Sequence, residues 1–127
     1  MKFEIPRKLG MTTIGDVAGV PLGQLLTALN RKLGAHLDRD HQIGHSYLMN
    51  LDTVADLRFS WEHKIVPLLQ EYFYGDGEKL LAVLGKEFVS KEDIALGEDA
   101  DARTVHRLRK LEPDAEFVEA LKRLAAS

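Results

Sequence analysis

Pro21-Leu-Gly-Gln-Leu-Leu-Thr-Ala-Leu-Asn-Arg-Lys-Leu-Gly-Ala-His-Leu37 is the stretch on which the architecture turns. Leu22, Leu25, Leu26, Leu29, Leu33 and Leu37 recur at the three- and four-residue spacing that lines one side of an α-helix. Pro21 suits the first helical position, where its fixed φ is preset and its missing N–H has no partner to lose. The spacing predicts a helix ending near His36. After it, Asp38 to Ile43 reads as a polar loop and His45 to Met49 as a short helix.

Further on, Asp52 or Thr53 can cap a longer helix with Val54, Leu57, Trp61, Ile65, Leu68, Leu69, Tyr72 and Phe73 on one broad apolar face. Pro67 lies inside that pattern, and its missing donor and ring predict a kink or break near Lys64 to Val66. Gly75-Asp76-Gly77 ends the helix. Glu78 to Leu84 is a further short helix with Leu80, Leu81 and Leu84 inward, stopped by Gly85. Phe88-Val89 reads as briefly extended, Ser90 to Asp93 as a capping arrangement, and acidic Leu96 to Arg103 as a loop. Asp114 can cap a last helix that buries Phe117, Ala120, Leu121 and Leu124. Upstream, Phe3 and Ile5 alternate like one short strand, and the glycines at 10, 15 and 19 read as loop. The sum is an all-α fold of four to six helices, with a lead-in over 1–20 and a helical domain over 21–127. The two longest stripes are expected to bury each other, with Trp61, Leu68, Leu69 and Phe73 against Leu25, Leu29 and Leu33.

Composition narrows the function classes. A chain of 127 residues, 45% hydrophobic and 29% charged, suits one domain with a real core. Its net charge of −3 argues against direct nucleic-acid binding, which needs a basic footprint. The absence of cysteine removes disulfides and thiolate chemistry. Without a run of about 20 apolar residues or a leader-like start, no membrane span is expected and a cytoplasmic location is. Tyr72-Phe73-Tyr74 with Trp61 has base-stacking chemistry, but the helical spacing assigns these rings to the core.

The chemistry concentrates in Leu37-Asp-Arg-Asp-His-Gln-Ile-Gly-His-Ser-Tyr47. Gly44 before His45-Ser46 can end a turn and open a helix, presenting unpaired N–H groups of the kind that meet anions. The plain reading is that Asp40, His41 and Ser46 stitch the loop while His45 and Tyr47 pack on neighbours. His41 and His45 are four residues apart, as in two-histidine zinc helices, with His36, Asp38 and Asp40 nearby. However, Gln42 cannot act as a general base and Gly44 weakens a helix there, so no metal site is assigned.

These residues also carry a resemblance. Arg39-Asp-His-Gln-Ile-Gly-His-Ser-Tyr47, followed by Lys64-Ile-Val-Pro-Leu-Leu-Gln-Glu-Tyr-Phe-Tyr74, resembles the C-terminal lid of McrB-like AAA+ motors. Those are GTP- or ATP-driven subunits related to 5-methylcytosine-specific restriction systems. The resemblance spans roughly residues 20 to 85, weakens over Glu112 to Leu124 and is faint before residue 20. It implies an AAA+ lid that closes over nucleotide and contacts the neighbouring subunit, as a fragment or a free-standing remnant. Carried over by position, His45 and Ser46 would approach the phosphates, with Arg39, His41 and Gly44 as loop neighbours. No arginine follows Gly44-His45, so any phosphate-sensing charge falls to histidine or to backbone N–H groups.

No Gly-x-x-x-x-Gly-Lys-Ser/Thr occurs, and neither a magnesium-binding acidic strand nor a tandem arginine finger is present. The isolated chain is therefore expected to be no enzyme and to hold no cofactor. ATP or GTP with magnesium would belong to the complete motor. The partners implied are the AAA+ large subdomain, neighbouring subunits and a nuclease subunit, with no direct nucleic-acid contact. The alternatives are a stand-alone helical protein-interaction module and a metal-dependent hydrolase suggested by the histidines.

Overall fold

The computed structural model describes residues 14–95 and 102–127. Strands β1 (Asp16–Val17) and β2 (Val20–Pro21) form a minimal antiparallel hairpin in which Val17 faces Val20. Its turn residues Ala18 and Gly19 have φ of 51° and 83°, and two successive positive φ angles are what a two-residue type I′ turn demands. The hairpin drops Val17 and Val20 into the core. Helix α1 (Leu22–His36) follows with Pro21 as its N-cap, so it begins one residue later than the sequence pattern suggested. Its leucine stripe is buried from Leu22 to Leu33, and Leu37 is half-buried.

The expected long helix runs unbroken from Val54 to Tyr72 but changes its winding. Helix α2 (Val54–Ser60) begins at a capping box in which Thr53 accepts from the Asp56 N–H and Asp56 reaches back. A π-helical segment, Trp61–Ile65, then leads into helix α3 (Val66–Tyr72). The Val66 N–H bonds to Trp61 O, five residues back. This widened turn lies just ahead of Pro67, whose ring would crowd the preceding turn of a regular helix. Helix α4 (Gly77–Leu84) is capped by Asp76, which accepts from the Lys79 N–H, and Gly85 closes it at φ 87°.

The all-α expectation is overturned. The described residues hold four helices, counting Val54 to Tyr72 as one, and two small two-stranded antiparallel sheets. The second sheet pairs β3 (Val89–Ala95) with β4 (Ala102–Leu108), in register from Val89↔Leu108 to Ala95↔Ala102. Ser90 to Asp93 is thus strand and not a helix cap. Ala102 and Arg103, assigned above to the end of a loop, begin its partner strand. Residues 1–13, including Phe3 and Ile5, and 96–101, most of the acidic loop, lie outside the described residues.

Helix α5 (Asp114–Ala126) packs on α1 and β2, while α4 also lies against α1. One core contains both long stripes. Trp61 does not reach it through α1 alone: its ring sits 5.0 Å from Phe88 and 6.5 Å from Phe117, an aromatic cluster joining the long helix to the later elements. Arg58 fastens the same junction. It donates to the carbonyls of Leu111 (2.8 Å) and Glu112 (3.1 Å), pairs with Asp114 at 2.9 Å, and lies 4.4 Å above the Phe117 ring.

Candidate functional site

The segment between α1 and α2 is held from both ends. Asp38 Oδ1 accepts from the N–H groups of Asp40 (2.9 Å) and His41 (3.0 Å) and meets His41 Nδ1 at 2.6 Å, folding the chain into a side-chain-stabilised turn. The bond to the His41 ring, reinforced by those two N–H groups, holds the Asp38 carboxyl below the usual aspartate range. The His41 ring stands edge-on to Tyr72 at 5.0 Å, and the Tyr72 hydroxyl donates to Gln42 O at 3.4 Å. Burial pushes the Tyr72 phenol up, and neighbouring Tyr47, Glu71 and Asp38 add to it.

At the centre, the Asn30 amide takes both backbone groups of Ile43: it accepts from the N–H at 2.7 Å and donates to the carbonyl at 3.0 Å. The Ile43 side chain is 2% exposed. At the far end the Ser60 hydroxyl donates to Tyr47 O and ties the segment to α2.

Between these anchors, the short helix expected from His45 to Met49 is a single 3₁₀ turn, His45–Tyr47. Three residues build no appreciable macrodipole, so the anion-binding helix end reduces to local N–H groups. Among the described residues, the N–H groups of His45 and Ser46 have no backbone acceptor. Both side chains are exposed, and Gly44 caps the turn without a side-chain bond. Gly44 sits at φ −74°, and an added Cβ would meet nothing nearer than Ser46 Oγ at 3.9 Å. The fold itself therefore does not require glycine there.

Arg39 is exposed at the outer bend, and His41 is turned back into the loop. A surface groove of about 330 Å³ brings His45 and Gln42 beside Thr27, Asn30 and Arg31 of α1. Sequence reasoning missed Arg31 and Asn30. Thr27 and Arg31 are one turn apart on the polar side of the leucine stripe, a spacing that would have found Arg31, whereas Asn30 is tied to Ile43 across 13 positions. Among the described residues, no three His, Cys, Asp or Glu side chains come together as metal ligands, so His41 and His45 lack a third donor there.

Helices α1 to α4 thus frame a polar, backbone-clamped loop. Residues 21–81 match the family model for the McrB alpha-helical lid domain. The matched stretch ends within α4, before the β3–β4 ribbon and α5. No curated protein matches the chain. A lid domain is not catalytic by itself. Among the described residues, no helix is long and apolar enough to cross a membrane.

Proposed function

We propose that this chain acts as the C-terminal lid of an McrB-like AAA+ NTPase motor. Residues 1–20 lead in, and 21–127 form the lid-like unit, into whose core Val17 and Val20 dock. In the assembled motor the unit closes over ATP or GTP with its magnesium, and rotates as a rigid body against the neighbouring subunit. Its partners are the AAA+ large subdomain, adjacent subunits and a nuclease subunit of the restriction type, in the cytoplasm. The observation that carries the reading is the match of residues 21–81 to the McrB lid.

The site geometry supports it. His45 and Ser46 stand exposed on a loop anchored at Asp38, Ile43 and Tyr47, and Gly44 leaves their approach uncrowded although the backbone does not need it. Preorganised N–H groups of this kind meet a phosphate without reorganising. On this reading His45 and Ser46 face the phosphates, with Arg39, His41 and Gly44 alongside and Arg31 across the groove.

Steady-state phosphate release and calorimetric titration with ATP and GTP test the first half of the proposal. The isolated chain should do neither chemistry nor tight binding, and magnesium-dependent turnover above a heat-inactivated control refutes the lid reading. The second half is tested by adding the chain to an AAA+ core of McrB type that lacks its lid. Restored NTP turnover supports it; a complex that forms without any gain in turnover counts against it.

A further inference from the structure

The loop from Gln42 to Tyr47 is fastened to the long helix at two places, one on each side of the π-helical segment Trp61–Ile65. Ahead of that segment the Ser60 hydroxyl donates to Tyr47 O, and Ser60 is only 2% exposed although polar. Beyond it the Tyr72 hydroxyl donates to Gln42 O at 3.4 Å, and the Tyr72 and His41 rings meet at 5.0 Å and 86°. The imidazole cannot drift from that contact freely, because Asp38 Oδ1 holds its Nδ1 at 2.6 Å. The loop therefore runs back along the helix, its Tyr47 end at Ser60 and its Gln42 end at Tyr72.

This arrangement depends on how Trp61–Ile65 is wound. At about 3.6 residues per turn, the side chains of Ser60 and Tyr72 would point about 120° apart in a regular α-helix. A π turn takes up one additional residue and brings them to about 20° of one another. The widened turn closed by the Val66 N–H on Trp61 O thus puts both hydroxyls on the side where the loop lies. Regular winding would carry Tyr72 off that side while Ser60 kept its hold.

We propose that Tyr72 is a positioning residue for the nucleotide-facing loop and that the π turn sets it in place. The proposal rests on the lid reading above, in which His45 and Ser46 face the phosphates. Tyr72 touches no nucleotide. It holds Gln42 and the His41 ring while Ser60 holds Tyr47, so His45 and Ser46 are carried between two fixed points of one helix. When the lid rotates, the loop moves with that helix and not past it.

The full chain gives the first readout. Tyr72→Leu removes ring and hydroxyl, whereas Tyr72→Phe keeps the ring. Amide exchange at His41, Ile43 and Tyr47, whose N–H groups are hydrogen-bonded within the loop or to Asn30, should accelerate at least about fivefold in Tyr72→Leu and less in Tyr72→Phe. Amides of α1 and α5 should keep their protection. Should the leucine variant fail to fold, the phenylalanine variant decides alone. The second readout is NTP turnover by an McrB-type motor carrying the chain as its lid, in a cycle with His45→Ala and Ser46→Ala. Tyr72→Phe should lower turnover at least about threefold in the unaltered motor. Beside the double substitution it should have no further effect, because a positioning residue acts through the groups it positions. Additive losses, or loop amides that exchange at the native rate in both Tyr72 variants, overturn the proposal. Lowered turnover with His45→Ala and Ser46→Ala but none with Tyr72→Phe removes Tyr72 alone; unchanged turnover with the double substitution overturns the site reading, and the positioning role with it.

Discussion

Replacing Asn30 by alanine should release the loop that carries His41, His45 and Ser46. One side-chain amide satisfies both backbone groups of Ile43, at 2.7 and 3.0 Å, and alanine leaves that donor and that acceptor without partners. Each unsatisfied buried group costs about 1–3 kcal/mol, and the half-buried setting of Asn30 puts the pair near about 2–4 kcal/mol. At this chain length roughly 4 °C accompanies each kcal/mol, which gives a melting drop of about 8–16 °C. Asn30→Asp separates the two bonds: it keeps an acceptor for the Ile43 N–H but turns an oxygen toward the Ile43 carbonyl, so it should recover at most half the loss. Urea denaturation followed by Trp61 emission gives the global term, and hydrogen exchange at the Ile43 amide gives the local one. A shift below about 0.5 kcal/mol, the scatter of ordinary surface substitutions, together with an Ile43 amide still protected, would refute the clamp.

Three further changes probe other parts of the account. Leu69 is fully buried on the long helix, so Leu69→Ala should cost about 2–5 kcal/mol in a denaturant midpoint; a loss under about 0.5 kcal/mol would mean that this face is not core. An alanine Cβ at Gly77 would lie 2.7 Å from His106 Cβ, so Gly77→Ala should destabilise by about 1–3 kcal/mol despite alanine's better helix propensity. Adding His106→Ala should recover part of that loss, as read from the melting temperature. The Asp38 carboxyl titrates below its ordinary value because of its bond to the His41 ring. Its contribution is therefore complete above the ordinary aspartate pKa and lost as pH falls through the lowered one. Asp38→Asn should lower the melting temperature at neutral pH and flatten the acid limb of the stability profile; an unchanged acid limb would argue against the turn.

The helices were legible because burial follows their period: Leu22 to Leu33, the face from Leu57 to Phe73, and Phe117 to Leu124 are inward as spaced. Pro67 announced an interruption, although its form as a π turn over Trp61–Ile65 depends on packing that periodicity does not carry. The β3–β4 ribbon was not legible. Much of it is exposed on both faces, so no apolar alternation marks it, and Ser90-Lys-Glu-Asp93 imitates a helix cap. In the loop, the position of the polar cluster could be read from Leu37 to Tyr47, and Asp38 lies within reach of the residues it ties. The bond from Asn30 to Ile43 spans 13 positions, and no local pattern announces it. The same holds for His106 over Gly77, a contact made only when the ribbon folds onto α4.

The most direct test is NTP turnover by an McrB-type motor carrying this chain as its lid, compared with the same motor bearing His45→Ala and Ser46→Ala. Both side chains are exposed, and neither caps its turn, so the doubly substituted chain should keep its melting temperature within about 0.5 kcal/mol of stability. Turnover should nevertheless fall at least about tenfold, the equivalent of roughly 1.4 kcal/mol of lost transition-state contact. Unchanged turnover with an intact fold would contradict the account, removing His45 and Ser46 from the nucleotide.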